Sequence, residues 1–129
     1  MSESSAPVIL VVEDEVFIRF DAADFLRDGG FEVIEAGCGD EALRVLESGA
    51  RVDLVFTDIQ MPGAMNGLDL AGHVYAHRPG LPVILTSGAN LTMTVDPQLS
   101  VFGSIEPKPY DPIAITARIR AALASRPSA

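Results

Sequence analysis

The sequence predicts an α/β fold: a doubly wound five-stranded parallel sheet flanked by helices. Three observations predict it. Val8–Val12, Leu54–Thr57 and Pro82–Thr86 are short, continuous apolar runs rich in branched residues, the mark of strands buried on both faces. Stretches with helical apolar spacing separate these runs, and strict alternation of this kind gives a parallel sheet covered on both sides. The length, 129 residues, suits one domain with a core of its own and is short for two.

The remaining elements follow in order. Glu32–Ala36 is a mixed strand, suited to a place nearer the sheet edge, and Ser104–Glu106 is a short fifth strand. Val16–Asp28 carries Ile18, Ala22, Phe25 and Leu26 at helical spacing, with Gly29 and Gly30 as the stop. Asp40–Ser48 carries Ala42, Val45 and Leu46 on one face and ends at Gly49. Gly67–His77 carries Leu68, Ala71 and Tyr75 and ends before Pro79. The last helix has Asp111 as N-cap, Pro112 at its first position and a stripe of Ile115, Ile119, Ala122 and Leu123. Asn90–Phe102 fits either a short helix from Pro97 or a poorly ordered loop. One domain spanning 7–125 is expected, with a flexible tail at 1–6 and a frayed end at 126–129.

Composition excludes several functions. The net charge is −9, from nine basic and eighteen acidic residues, and the scattered basic residues form no patch. Nucleic acid and anionic membrane surfaces are therefore unsuitable partners. Met1–Ala6 lacks the basic start and apolar stretch of a signal peptide, and no apolar run is long enough to cross a bilayer, so a cytoplasmic protein is expected. The single cysteine, Cys38, rules out an internal disulfide and fits a reducing compartment. It lies in a Gly-rich turn with no cation near it in sequence, and reads as an inert thiol. His73 and His77 share a helix face at a spacing that can bind zinc, but no third ligand is evident, and two solvated histidines is the better reading.

In sheets of this kind ligands sit at the carboxyl ends of the strands, where strand order reverses. Glu13, Asp14 and Glu15 follow the first strand, Asp58 the third, Thr86, Ser87 and Gly88 the fourth, and Lys108 and Pro109 the fifth. If those strands are neighbours, the side chains meet in one shallow pocket. Clustered carboxylates repel one another and call for a hard divalent cation; Mg²⁺ suits oxygen ligands beside a phosphate. Asp58 is then a carboxylate nucleophile, Lys108 a positive point charge and Ser87 a hydrogen-bond donor, which is what phosphoryl transfer needs. Singly, each residue has a plainer reading: a turn aspartate, a solvated acidic helix start, an ordinary lysine. Their joint placement on one sheet edge outweighs those readings.

The motifs Val11-Val12-Glu13-Asp14-Glu15, Thr57-Asp58-Ile59-Gln60-Met61-Pro62-Gly63, Asn66-Gly67-Leu68, Pro82-Val83-Ile84-Leu85-Thr86-Ser87-Gly88 and Lys108-Pro109 carry a resemblance. From Pro7 to Leu123 the chain resembles the receiver domains of two-component response regulators, whose fold is the flavodoxin-like (βα)5 sheet. The resemblance implies that Asp58 is the phosphoacceptor and that Mg²⁺ is held by Asp14, Asp58 and the backbone carbonyl of Gln60, with Glu13 acting indirectly. It implies that Lys108 and Ser87 stabilise the phosphoryl group, and that the Lys108–Pro109 peptide bond is of the kind commonly cis. Implied partners are a sensor histidine kinase or histidine phosphotransfer protein and a downstream protein target. Such a domain catalyses only its own phosphorylation and dephosphorylation.

The chain departs from the family pattern in places. The loop from Pro62 to Gly67 is one residue longer than the commonest form. Thr86 precedes Ser87, and counting from Pro82 favours Ser87 as the switch hydroxyl with Thr86 on the opposite face. Many members carry an aromatic residue where this chain has Ile105, a stiff β-branched side chain. Movement is then expected in Asn90–Phe102 instead, with Tyr110 or Phe102 packing against it. The Lys108-Pro109-Tyr110 ending resembles a subgroup of single-domain receivers, and a stand-alone regulator is favoured. The main alternative is a receiver-like scaffold that acts without phosphorylation. An aspartate-nucleophile phosphatase of the haloacid-dehalogenase type fits less well, because Gln60 stands where its second acid belongs. A flavin binder fits least, because Glu13-Asp14-Glu15 would repel a phosphate at the first strand.

Overall fold

The computed structural model describes residues 6–61, 63, 65–87, 106–108 and 111–125. Five strands form one parallel sheet in the order β2-β1-β3-β4-β5: β1 (Val8–Val12), β2 (Glu32–Ala36), β3 (Leu54–Asp58), β4 (Val83–Ser87) and β5 (Glu106–Pro107). Strand order reverses between β1 and β3, so the first, third, fourth and fifth strands are neighbours as expected. Four helices are described: α1 (Val16–Asp28), α2 (Gly39–Glu47), α3 (Gly67–His77) and α4 (Pro112–Ser125). None of the helices among the described residues is long and apolar enough to cross a membrane. Asn90–Phe102, Ile105, Pro109 and Tyr110, on which expectations were placed, lie outside the described residues.

The three central strands are buried along their whole length, which their unbroken apolar runs require. Their residues alternate between two cores. Leu10, Val12, Val55, Val83 and Leu85 pack with residues of α2 and α3, whereas Ile9, Val11, Leu54, Phe56 and Ile84 pack with residues of α1 and α4. Fully burying each such side chain contributes roughly 1.5–3 kcal/mol. The edge strand β2 is mostly half-buried, and its mixed sequence reflects that place.

Boundaries differ by a residue in two strands. Pro82 has no N–H and stays outside the ladder, although its carbonyl accepts from Val55, and β4 begins at Val83. β3 runs on to Asp58. The described part of β5 is Glu106–Pro107, which brings Lys108 directly to the strand end. The buried stripe of α3 is phased one residue away from the expected Tyr75. Tyr75 is exposed (59%), and Leu70, Ala71 and Val74 supply the buried face of α3. Asp111 caps α4 as expected, its Oδ1 accepting from the amide of Ile113 at 3.1 Å.

Two contacts hold the loops that flank the sheet edge. Asn66 and Asp69 form a reciprocal capping box that starts α3. The first residue of that helix, Gly67, lies against the backbone of Asp58 and donates its N–H to the Ile59 carbonyl at 3.0 Å. A Cβ at Gly67 would collide with the Asp58 carbonyl and come within 2.8 Å of the Ile59 Cα. Backbone offers no easy escape from such a clash. Gly67→Ala is expected to destabilise the fold by about 1–3 kcal/mol, the usual scale of overpacking. Urea unfolding measures it, and unchanged stability would contradict the close approach.

Candidate functional site

The carboxyl edge of β1, β3 and β5 brings together Glu13, Asp14, Asp58 and Lys108. Lys108 Nζ lies 2.6 Å from Glu13 Oε1 and 2.9 Å from Asp58 Oδ2. One ammonium therefore joins the ends of three strands. The ladder explains why it reaches both acids. Val12 pairs with Thr57, Asp58 with Thr86, and Thr86 with Glu106, so the strands end at nearly one level. Lys108 N–H also donates to the Ser87 carbonyl at 2.9 Å, which extends the β4–β5 pairing by one residue.

Glu13 is fully buried, unlike the solvated acid that its neighbours suggest. Its Oε2 accepts the amide of Glu15 at 3.0 Å while Oε1 meets Lys108, so both oxygens are engaged. Burial of a charge is tolerated only with such partners. Asp58 is 4% exposed; its Oδ1 accepts the amide of Gln60 at 3.2 Å and its Oδ2 meets Lys108. Asp14 is half-buried and turns toward the same space, and ligand oxygens of Glu13, Asp14 and Asp58 all lie within 4.8 Å of one another. The donor set is hard oxygen throughout, which fits a Mg²⁺ ion and poorly fits a soft metal. Of the three carboxylates, Asp14 is the one not fully buried.

Burial raises the Asp58 carboxyl above the ordinary value of 3.8; the Lys108 bond and charge oppose the rise and Glu13 adds to it. Asp14 is raised too, chiefly by burial and also by Glu13, with its own backbone bond and Lys108 opposing. Burial would lower Lys108, but its bonds to Glu13 and Asp58 outweigh that and hold it above 10.5. Burial is thus the largest cause at both carboxyls, and the like charge of Glu13 adds to it despite the shared lysine.

Thr86 and Ser87 are both buried at the end of β4. Thr86 is level with Asp58 in the ladder, and as consecutive residues of β4 Thr86 and Ser87 alternate between its two faces. Ser87 lies one residue farther toward the carboxyl edge, opposite Pro107. Gln60 is exposed just past β3, with its amide on Asp58. The switch candidates Ile105, Tyr110 and Phe102 lie outside the described residues. His73 and His77 stack at 4.2 Å between ring centroids, with His77 Nδ1 3.0 Å from the His73 carbonyl. Among the described residues, the acidic cluster is the sole group of three or more such side chains close enough to share a metal. Gly67, which sets the backbone of Asp58, carries a role that its motif alone did not disclose.

A family model of the response regulator receiver domain matches residues 9–120. The transcriptional regulatory protein PdtaR of Mycobacterium tuberculosis is 40% identical over 80 residues, 61% of this chain and 38% of that protein. The DNA-binding response regulator MtrA of Mycobacterium tuberculosis is 34% identical over 118 residues, 89% of this chain and 50% of that protein. The chain thus spans half or less of the length of these curated relatives. Among solved structures, a response regulator receiver protein from Sinorhizobium medicae superposes with a TM-score of 0.82 at 27% identity, covering 95% of this chain and 98% of the other. The response regulator TrrA of Thermotoga maritima, solved in complex with Mg(2+)-BeF, gives a TM-score of 0.80 at 30% identity, covering 90% and 98%.

The raised carboxyl of Asp14 gives a prediction with a definite sign. A group whose folded pKa is raised contributes stability below its unfolded value and loses it as pH rises through the folded value. Metal-free Asp14→Asn should therefore melt at a higher temperature than the parent at pH 7, with the difference vanishing below about pH 4. Added Mg²⁺ should raise the melting temperature of the parent more than that of the variant. Thermal unfolding against pH, with and without Mg²⁺, measures both, and a variant less stable at pH 7 would contradict the stated strain. Fold, acidic cluster and family match agree, and the chain belongs to the response regulator receiver domain family of two-component systems.

Proposed function

We propose that this chain accepts a phosphoryl group on Asp58 from a sensor histidine kinase or histidine phosphotransfer protein, in a Mg²⁺-dependent reaction. The observation that carries the proposal is the shared contact of Lys108 Nζ with Asp58 Oδ2 and Glu13 Oε1. It sets a fixed positive charge beside a buried carboxylate at the rim of the sheet. An Asp58 oxygen forms a bond to phosphorus as the phosphorus–nitrogen bond of the donor phosphohistidine breaks, and the bonding pair leaves with the imidazole. The product is an acyl phosphate.

The chain's own groups prepare that step. The Gln60 amide on Oδ1 and Lys108 on Oδ2 fix the plane of the Asp58 carboxylate. Lys108 remains ammonium and offsets charge on the transferring group. Asp14, Asp58 and the Gln60 carbonyl would hold Mg²⁺, with Glu13 acting indirectly because its oxygens are already bonded. The ion, when bound, neutralises phosphoryl charge and relieves the carboxylate repulsion. Ser87 is the proposed hydroxyl donor to the phosphoryl oxygens, since it lies beyond the level of Asp58 in the sheet.

Two further features support a partner-dependent signalling role. Val16, Phe17 and Phe20 expose apolar surface at the start of α1, immediately after the acid pair, and Phe17 is 86% exposed. Exposed apolar surface of this kind suits a protein contact. The net charge of −9 disfavours direct contact with nucleic acid. The role fits a cytoplasmic regulator that signals through protein contacts; the mycobacterial relatives named as DNA-binding or transcriptional are longer than this chain.

Intact-mass measurement after incubation with acetyl phosphate and Mg²⁺ tests the proposal. The protein should gain one phosphoryl mass that is labile to base, and Asp58→Asn should abolish the gain. An unmodified parent would favour the scaffold that acts without phosphorylation, and undiminished labelling of Asp58→Asn would remove the residue from its role. Ser87→Ala should slow labelling more than Thr86→Val; the reverse order would transfer the hydroxyl role to Thr86.

A further inference from the structure

Arg19 lies one turn into α1, with its side chain mostly shielded (17% exposed). Its Nη1 donates to the backbone carbonyl of Glu13 at 2.9 Å. Its Nε meets Glu35 Oε1 on the edge strand β2 at 3.3 Å. Glu35 is held in turn by Arg27 Nη2 at 3.4 Å, through its other oxygen. Gly37 leaves room for this arrangement: a Cβ there would stand 3.3 Å from Arg19 Nη1, so the guanidinium lies against bare backbone. The guanidinium fork thus has a fixed anchor on one side and a peptide carbonyl on the other.

That carbonyl belongs to the peptide between Glu13 and Asp14. The amide of Glu13 is already tied to the Ala36 carbonyl at 3.0 Å, and the amide of Glu15 to the Glu13 side chain at 3.0 Å. The Arg19 bond fixes the plane of the peptide linking the two acids, and hence the direction in which the Asp14 Cα presents its carboxylate. We propose that Arg19 is a positioning residue that, braced on Glu35, clamps the Glu13–Asp14 peptide and sets the acid pair for the divalent cation. The proposal deepens the Mg²⁺-dependent reading and rests on it. Arg19 itself touches neither the phosphoryl group nor the ion.

The test uses the full chain with Arg19→Met, which keeps much of the apolar stem, Arg19→Lys, which can still reach the carbonyl, and Arg27→Ala. Arg27 shares Glu35 but has no contact with Glu13 among the bonds described. Calorimetric titration reads Mg²⁺ affinity, and amide hydrogen exchange in the metal-free protein reads the order of Asp14 and Glu15. Arg19→Met should weaken Mg²⁺ binding by about tenfold, the lower end of the loss seen for groups that orient a metal ligand. It should speed exchange at Glu15. Arg19→Lys should recover part of both, and Arg27→Ala should match the parent. If Arg19→Met does not fold, Glu35→Gln removes the brace instead and should weaken Mg²⁺ binding in the same direction. Parent-like affinity and exchange in a folded Arg19→Met would overturn the proposal. Equal losses in Arg19→Met and Arg27→Ala would also overturn it, because they would mark a general edge brace. A parent that binds no Mg²⁺ would count against the phosphorylation reading, and metal-free exchange would then decide the clamp by itself.

Discussion

The site depends on one ammonium group shared between two buried carboxylates. Lys108 Nζ meets Glu13 on β1 and Asp58 on β3 from the end of β5, and thereby closes the sheet's carboxyl edge. Without it, two nearly solvent-free acids would face each other, and removing one partner of a buried ion pair is strongly destabilising. With it, Asp58 remains pushed above the ordinary carboxylate value, so compensation is incomplete. That residual cost, chiefly of burial, would be relieved by a cation at the acid pair, in keeping with the proposed Mg²⁺-dependent role.

Backbone contacts hold the acids where the lysine can reach them. Gly67 lets the start of α3 rest on the Asp58 backbone, and the reciprocal bonds of Asn66 and Asp69 fix where that helix begins. On the other side of the pocket, the Ala36 carbonyl and the Arg19 guanidinium hold the amide and carbonyl of Glu13. Each acid is therefore positioned through its main chain by an element that contributes no reacting group. Small changes in these supports should act on the site through geometry.

Much of this was legible in the sequence, for a physical reason. Strands buried on both faces have unbroken apolar runs, so their ends are sharply marked, and polar residues directly beyond them stand out. Asp14, Asp58 and Lys108 stand out in this way, and the fold brings them together. Glu13 stands out too, but its complete burial does not, because a carboxylate with neighbours Asp14 and Glu15 looks solvated until Lys108 is placed beside it. Tyr75 fits the apolar stripe of α3 by spacing, but an amphipathic aromatic suits either side of a helix, and Val74 is the residue that packs. Arg19 and Gly67 gave no usable signal of their roles. An arginine on a surface helix and a glycine after Asn66 have common explanations, and only the assembled backbone shows what they touch. The level of Thr86 and Ser87 relative to Asp58 depends on ladder register, which one strand alone does not define.

The most direct measurement of the shared-lysine account is the titration of the Lys108 side chain by NMR in the metal-free protein. The account predicts a pKa above the ordinary lysine value of 10.5, because the bonds to Glu13 and Asp58 outweigh the cost of burial. The value should fall when either carboxylate is replaced by its amide, in Glu13→Gln and in Asp58→Asn. A Lys108 that titrates at or below 10.5, or that is indifferent to both replacements, would contradict the claim that this ammonium joins the three strand ends.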